Sequence, residues 1–272
     1  MRWRRADWRP WVIGSLLVSA GAMAAGDGVV QQIPDHGQIN WSDKTITARG
    51  SGAPSKKAKS PAAARLGAER AAKLDAFRHI LETVKGVQVT STSTGADAMA
   101  AAEIKSQVEG VLRGAQVIDT VYYSDLSVDV VLRMPIDGAL TEALAPKGGK
   151  KVQVPSSGKA KHTGLVINAK GLKLEPAIAP RVVDEKGREI YGVSFVSEKA
   201  VLESGIAGYA KDVAKAKQHD RVKDNPLVVR AVDKPRKSNS DLVISNADAD
   251  KLRDKDSNLG FLADGKVLIV VD

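Results

Sequence analysis

Leu126-Ser-Val-Asp-Val-Val-Leu-Arg-Met134 is the stretch on which the fold turns. Leu126, Val128, Val130, Leu132 and Met134 occupy alternate positions, with Ser127, Asp129 and Arg133 between them. A period of two belongs to a strand with one face on a core and the other toward water, which antiparallel sheets permit. Ser124-Asp125 joins it to a preceding β run, Ala115 to Tyr123. Further upstream, Gly37 to Arg49 alternates on both sides of Ser42-Asp43-Lys44, with Ile39 and Trp41 before it and Ile46 and Ala48 after it, a hairpin signature.

Between these β segments the period changes. Gly50-Ser-Gly-Ala-Pro54 reads as the end of a strand, and Ser60-Pro61 as an N-cap followed by proline at the first helical position. Ala64, Gly67, Ala71, Leu74, Phe77, Leu81 and Val84 then recur at steps of three and four, predicting a helix that ends with Gly86 in the left-handed conformation. Small residues early in that stripe would let the helix lie close on a sheet. Val87-Gln-Val89 is a short strand candidate and Ser91 to Gly95 a polar loop. A second helix is expected from an Asp97 cap, through Ile104, Val108, Val111 and Leu112, to Gly114. Helices on one face of a mainly antiparallel sheet make an α+β domain over residues 37–144.

These residues carry a resemblance. Gly50 to Pro54, Arg65-Leu66, Arg70 to Glu82, Gly86 to Val89, Gln107-Val108, Arg113-Gly114-Ala115 and Tyr122 to Asp125 resemble the bacterial "lipoprotein twenty" family. That family is itself similar to the N-terminal domain of flagellar assembly protein T. The resemblance covers about a hundred residues and implies an envelope protein without an assigned catalytic site. Many members are lipid-anchored at the outer membrane; this chain departs from them in having no cysteine to lipidate.

Ala145 to His162 contains five lysines, two prolines, three glycines and two serines, with no helical or strand period, and reads as a linker. Beyond it, residues 163–272 read as a second, β-rich α+β domain with a mainly antiparallel sheet. Thr163 to Asn168, Arg181 to Asp184, Glu189 to Tyr191, Leu227 to Val232, Leu242 to Ser245 and Lys266 to Val271 are strand candidates. Glu185-Lys-Gly-Arg188 is a hairpin loop with its expected glycine, and the nearly all-apolar last strand is placed inside the sheet. Ser197 to Gln218 should supply helix, and Asn246 to Lys251 a short capped one. Thr163 to Leu172, Pro176 to Pro180 and Asp184 to Gly192 are similar to the C-terminal part of longer relatives of the same lipoproteins. There an Asp and an Arg often stand where this chain has Asn168 and Lys170. A carboxylate replaceable by an amide points to structure rather than acid–base chemistry.

The first 24 residues set the expected address. Arg2, Arg4, Arg5 and Arg9 form a positive head, Trp11 to Ala20 an apolar middle, and Ala22-Met23-Ala24 a small-x-small exit that signal peptidase would cut between Ala24 and Ala25. The expectation is a periplasmic protein; an uncleaved signal would instead anchor it in the inner membrane. Residues 25–36 read as an N-terminal linker. The absence of cysteine excludes disulfides, thiolate metal sites and thiol catalysis. The formal charge is +9, of which the signal carries +3, leaving +6. Lys147, Lys150, Lys151, Lys159 and Lys161 have no acid between them and are the candidate contacts for a polyanion such as a lipid headgroup or wall polymer; the alternative for this run is a solvated linker.

A search for chemistry yields no catalytic constellation. His36, His79, His162 and His219 lack the His-x-x-x-His spacing of a zinc site, and His79 on the first helix reads as a packing partner. Asn246-Ala-Asp248-Ala-Asp250 starts like a calcium loop, but Lys251 stands where the turn glycine belongs and Ser257 where the bidentate glutamate belongs. Ser156-Ser-Gly-Lys159 matches Ser-x-x-Lys only within a lysine-rich stretch, Gly192 to Val196 lacks the last glycine of a nucleophile elbow, and Gly148-Gly-Lys-Lys151 lacks the Ser/Thr of a phosphate loop. The expectation is a non-enzymatic envelope accessory or scaffold protein. It would need no cofactor and no metal, would bind other envelope proteins rather than nucleic acid, and would assist a machine such as the flagellar basal body. A periplasmic polyanion binder is the alternative, and a hydrolase with an unmarked carboxylate pair is a further one.

Overall fold

The computed structural model describes residues 28–136, 138–147 and 150–272. The expected signal and its Ala24–Ala25 cleavage bond lie outside the described residues. Two α+β domains follow one another. The first contains β1 (Val30–Ile33), β2 (Gly37–Asn40), β3 (Thr45–Gly52), α1 (Pro61–Gly86), β4 (Gln88–Thr90), β5 (Ser93–Thr94), α2 (Gly95–Ala98), α3 (Ala102–Leu112), β6 (Gln116–Tyr122), β7 (Val128–Pro135) and α4 (Ala139–Leu144). Its main sheet has the order β1-β2-β3-β7-β6 and is antiparallel throughout. β1, in a stretch read as linker, adds an outer strand to the expected hairpin, whose register sets Ile39 against Ile46.

The glycines of β3 do not break it. β3 runs on to Gly52, and a Cβ on Gly50 would lie 2.1 Å from Ala76 N, one on Gly52 2.0 Å from Ala68 O. They are strand-interior glycines that admit the helix backbone. The matching face of α1 is Ala64, Ala68, Ala72, Ala76, Ile80 and Val84, all buried. This corrects the stripe expected from sequence: Leu74 of that stripe is 71% exposed and Gly67 open to solvent. The physical reason is distance, since a helix backbone pressed onto glycines leaves room only for alanine methyls between them. Ser60 caps α1 as expected, its hydroxyl accepting from Ala63 N at 3.1 Å. Gly86 does not adopt a left-handed conformation; the helix passes directly into extended Val87. Asp97 is not the cap but the third helical residue of α2, closing a capping box with the Thr94 cap, and α3 starts after it without a side-chain cap.

β3 outlasts β2, which pairs only with Thr45 to Thr47. The open edge beyond is satisfied from α1: Ser51 N donates to Asp75 Oδ2 at 3.0 Å, and His79 Nδ1 lies 2.6 Å from the Arg49 carbonyl. A carbonyl only accepts, so Nδ1 is the donor there. His79 is thus a structural partner of the strand edge.

The second domain contains β8 (Leu165–Asn168), β9 (Val182–Asp184), β10 (Glu189–Tyr191), α5 (Glu198–Ser204), β11 (Gly208–Ala210), α6 (Val213–Lys217), β12 (Leu227–Asp233), β13 (Leu242–Ile244), α7 (Asn246–Lys251), α8 (Gly260–Ala263) and β14 (Val267–Val270). Its sheet has the order β10-β9-β13-β12-β8-β14-β11. Here the expected mainly antiparallel sheet with helices on one face is corrected. β9–β13, β12–β8, β8–β14 and β14–β11 are parallel, and only β10–β9 and β12–β13 are antiparallel. Strands of a parallel sheet are covered on both faces and read as continuous apolar runs. Leu165, Ile167, Val267 and Ile269 join the main core, while Val166, Leu268 and Val270 pack on the other face with Ala216 of α6 and Val222. β11 was not expected within the helical stretch 197–218; it is the three-residue strand beside β14. Ser245 caps α7, its hydroxyl accepting from Asp248 N.

The domains share one hydrophobic core. Ile178 N and Ala179 N donate to the carbonyls of Gln88 and Val89 at 3.0 and 2.8 Å, so a segment of the second domain lies along β4 of the first. The Lys44 ammonium reaches the Ser204 carbonyl. The stretch 150–162 runs along the second domain: Val152 N donates to Ser194 O, Leu259 N to Pro155 O, and Lys159 bridges to Ser257. Gly158 makes this approach possible, since a Cβ there would meet Asp256 O at 2.5 Å.

Candidate functional site

β6 forms one edge of the first sheet and is its most exposed strand, with no buried residue along its length. Val117, Ile118, Val121 and Tyr122, and Tyr123 just beyond it, are 36–51% exposed. Apolar residues occur at both parities, so neither face of β6 is shielded. An edge strand leaves a row of N–H and C=O groups open to another chain, which is what β-augmentation uses. Two features temper the edge: a register shift between Val117 and Asp119, and the Asp119 charge itself.

The Tyr122 end of β6 is built by polar contacts. Tyr122 OH donates to Glu69 Oε2 at 3.0 Å, and the Arg65 guanidinium lies 5.8 Å from the centre of the Tyr122 ring. Next to it, the Asp129 carboxylate of β7 accepts from the Ser51 hydroxyl, from Tyr123 OH at 2.7 Å and from Arg49. Burial acts to raise this carboxyl, but those hydrogen bonds outweigh it and hold it below the ordinary aspartate range. Its charge is spent within the sheet face. A second buried carboxylate, Asp184, holds the β9–β10 turn by accepting from Lys186 N, Arg188 N, the Arg188 guanidinium and Arg253 Nη1. It too lies below the ordinary aspartate range, because those donors outweigh the burial.

The candidate lysines separate into groups. Lys147 and Lys151 line one cavity between α4 and α5, together with Glu142 and Glu198. Lys151 donates to the carbonyls of Val193 and Val196 at 3.3 and 3.0 Å. Lys150 is exposed and is not among the residues lining that cavity. Lys159 and Lys161 lie against residues 254–258, where Lys161 pairs with Asp254 at 3.7 Å. The five thus have different local settings, Lys147 and Lys151 at the cavity and Lys159 and Lys161 beside residues 254–258.

Of the histidines, His36 faces His79 with ring centres 5.9 Å apart, and His219 Nδ1 accepts from Arg221 N at 3.0 Å. Among the described residues no group of three histidine or acidic side chains is placed to hold a metal ion. No helix among them is long and apolar enough to cross a membrane. Sequence reading missed β6 as a surface because its apolar residues sit on both parities. That double parity was the available signal.

The fold is that of a two-domain α+β protein whose second half carries a mixed, doubly covered sheet. Residues 164–272, from just before β8 to the last residue, match a family model described as the second domain of Treponema pallidum Tp0624. The second domain is thus similar to a bacterial domain family. No curated protein matches the chain.

Proposed function

We propose that this chain is an exported, non-enzymatic accessory protein of the bacterial envelope that assists assembly by presenting the β6 edge to a partner protein. The observation that carries the reading is the exposure of β6, an edge strand that leaves Val117, Ile118, Val121 and Tyr122 open to solvent. The signal-like segment before Ala25 supports export, and the "lipoprotein twenty" resemblance of residues 50–125 supports an envelope setting, the flagellar basal body being one such machine. Similarity of the second domain to a bacterial family agrees with a bacterial origin.

The test is photo-cross-linking in cells from a probe residue at position 121, on β6, and in parallel at position 74, on the outer side of α1. A discrete adduct with an envelope protein from position 121 but not from position 74 is the expected result. Retention of the chain in the cytoplasm, or no adduct from β6, would refute the reading.

A further inference from the structure

A cavity of about 390 Å³ opens where the end of the first domain meets the second, between α4 and α5. We infer that it binds a small zwitterion, a molecule of amino-acid or short-peptide size carrying one ammonium and one carboxylate. Its volume falls in the range of about 300–1,000 Å³ typical of small-ligand sites. Two acidic residues, Glu142 and Glu198, two basic ones, Lys147 and Lys151, and the apolar Val193 and Val201 line it.

The charges are not spent on each other. No ion pair joins these four residues, and neither Glu142 nor Glu198 has a side-chain partner among the described residues. Among the described residues, the one hydrogen bond of Lys147 Nζ is to Gln107 Oε1, at 3.5 Å. Lys151 is held by the carbonyls of Val193 and Val196. An ammonium has three donors, so one N–H remains on a group whose position is already fixed. A purely anionic ligand would face the charge of two acidic lining residues and a purely cationic one that of two basic ones. A molecule with both charges complements both pairs, and charge-assisted hydrogen bonds in a partly enclosed cleft are stronger than in open water. The same opposition separates this site from the polyanion reading of the lysines, because a polymer of one sign cannot use it. The inference does not depend on the assembly reading, whose surface is β6.

The experiment titrates the full chain, with isotope-labelled valine methyls, against glycyl-leucine, leucine, N-acetyl-glycyl-leucine, glycyl-leucine amide and polyphosphate. Saturable shifts of the Val193 and Val201 methyls with glycyl-leucine or leucine are expected, and the tighter of the two shows whether the ligand is a peptide or an amino acid. Blocking either terminus should weaken binding by about tenfold or more, and Lys151→Gln and Glu198→Gln should each do the same. Glu198→Gln keeps the test sound if loss of Lys151 loosens the loop, since the Glu198 side chain holds no partner among the described residues. Absence of a saturable shift at ligand concentrations on the order of 10 mM, equal binding of the blocked forms, or stronger shifts from polyphosphate would each overturn the inference.

Discussion

The Trp41 indole and the Tyr209 ring meet edge to face with centroids 5.6 Å apart, one from the first domain and one from the second. Ser42 Oγ donates to the Tyr209 carbonyl at 3.0 Å, and the Tyr209 hydroxyl both donates to Ala177 O at 2.8 Å and accepts from Ala177 N at 2.9 Å. Both rings are buried. The join between the domains is therefore a packed core, not a flexible hinge.

Chemical denaturation should accordingly show one cooperative transition for both domains. Tyr209→Phe removes a hydroxyl that satisfies both a buried N–H and a buried C=O, a loss of roughly 1–3 kcal/mol. Urea melts of residues 25–272, which retain Trp41 but not Trp3, Trp8 or Trp11, followed by fluorescence and by far-ultraviolet circular dichroism should shift together. Two separated transitions would contradict a shared core.

Gly52→Ala places a methyl 2.0 Å from the Ala68 carbonyl of α1, so the helix must move. The expected cost is about 3 kcal/mol or more, read as a lower urea midpoint or as loss of soluble protein. Gly67→Ala is the control, since nothing lies within 4 Å of its added methyl. In a helix interior that change should stabilise by about 0.5–1 kcal/mol.

Asp129 and Asp184 both have folded-state values below the ordinary aspartate value of 3.8. A carboxyl depressed by folding takes up its proton first in the unfolded chain. Its stabilisation is present above the unfolded value and is lost as pH falls through the folded one. Urea midpoints should therefore decline as pH drops below about 5, and Asp129→Asn should flatten part of that decline. A parallel slope in wild type and variant would mean that Asp129 is not one of the linked groups.

Val121→Lys on β6 should change stability by less than about 0.5 kcal/mol, because the site is already exposed. It should nevertheless abolish capture of the partner, by placing a charge on the open edge. Equal capture by wild type and variant would remove β6 from the interaction.

Particular elements show how far the sequence could be read. Ser60-Pro61 announced the start of α1 because capping is local chemistry, and the alternation from Val128 to Met134 announced β7 because its period of two needs no partner to be seen. The face that α1 buries was not legible in the same way. Leu74 is the larger hydrophobe, yet Ala72 is the buried residue, and only the glycines of a strand twenty residues away explain why. The cleft of Glu142, Lys147, Lys151 and Glu198 was half visible as a lysine run. The glutamates come from two different helices, and nothing local brings them to it.

Alternation, caps and turn glycines by themselves determined that this is an α+β chain with two domains, because those signals arise from neighbours in sequence. Tertiary structure alone decided the strand sense of the second sheet, the depth at which α1 sits, the fusion of the domains around Trp41 and Tyr209, and the exposure of β6. Each of these depends on contacts between residues far apart in the chain, where the shape available at the meeting point, and not the hydrophobicity of either residue, selects what is buried.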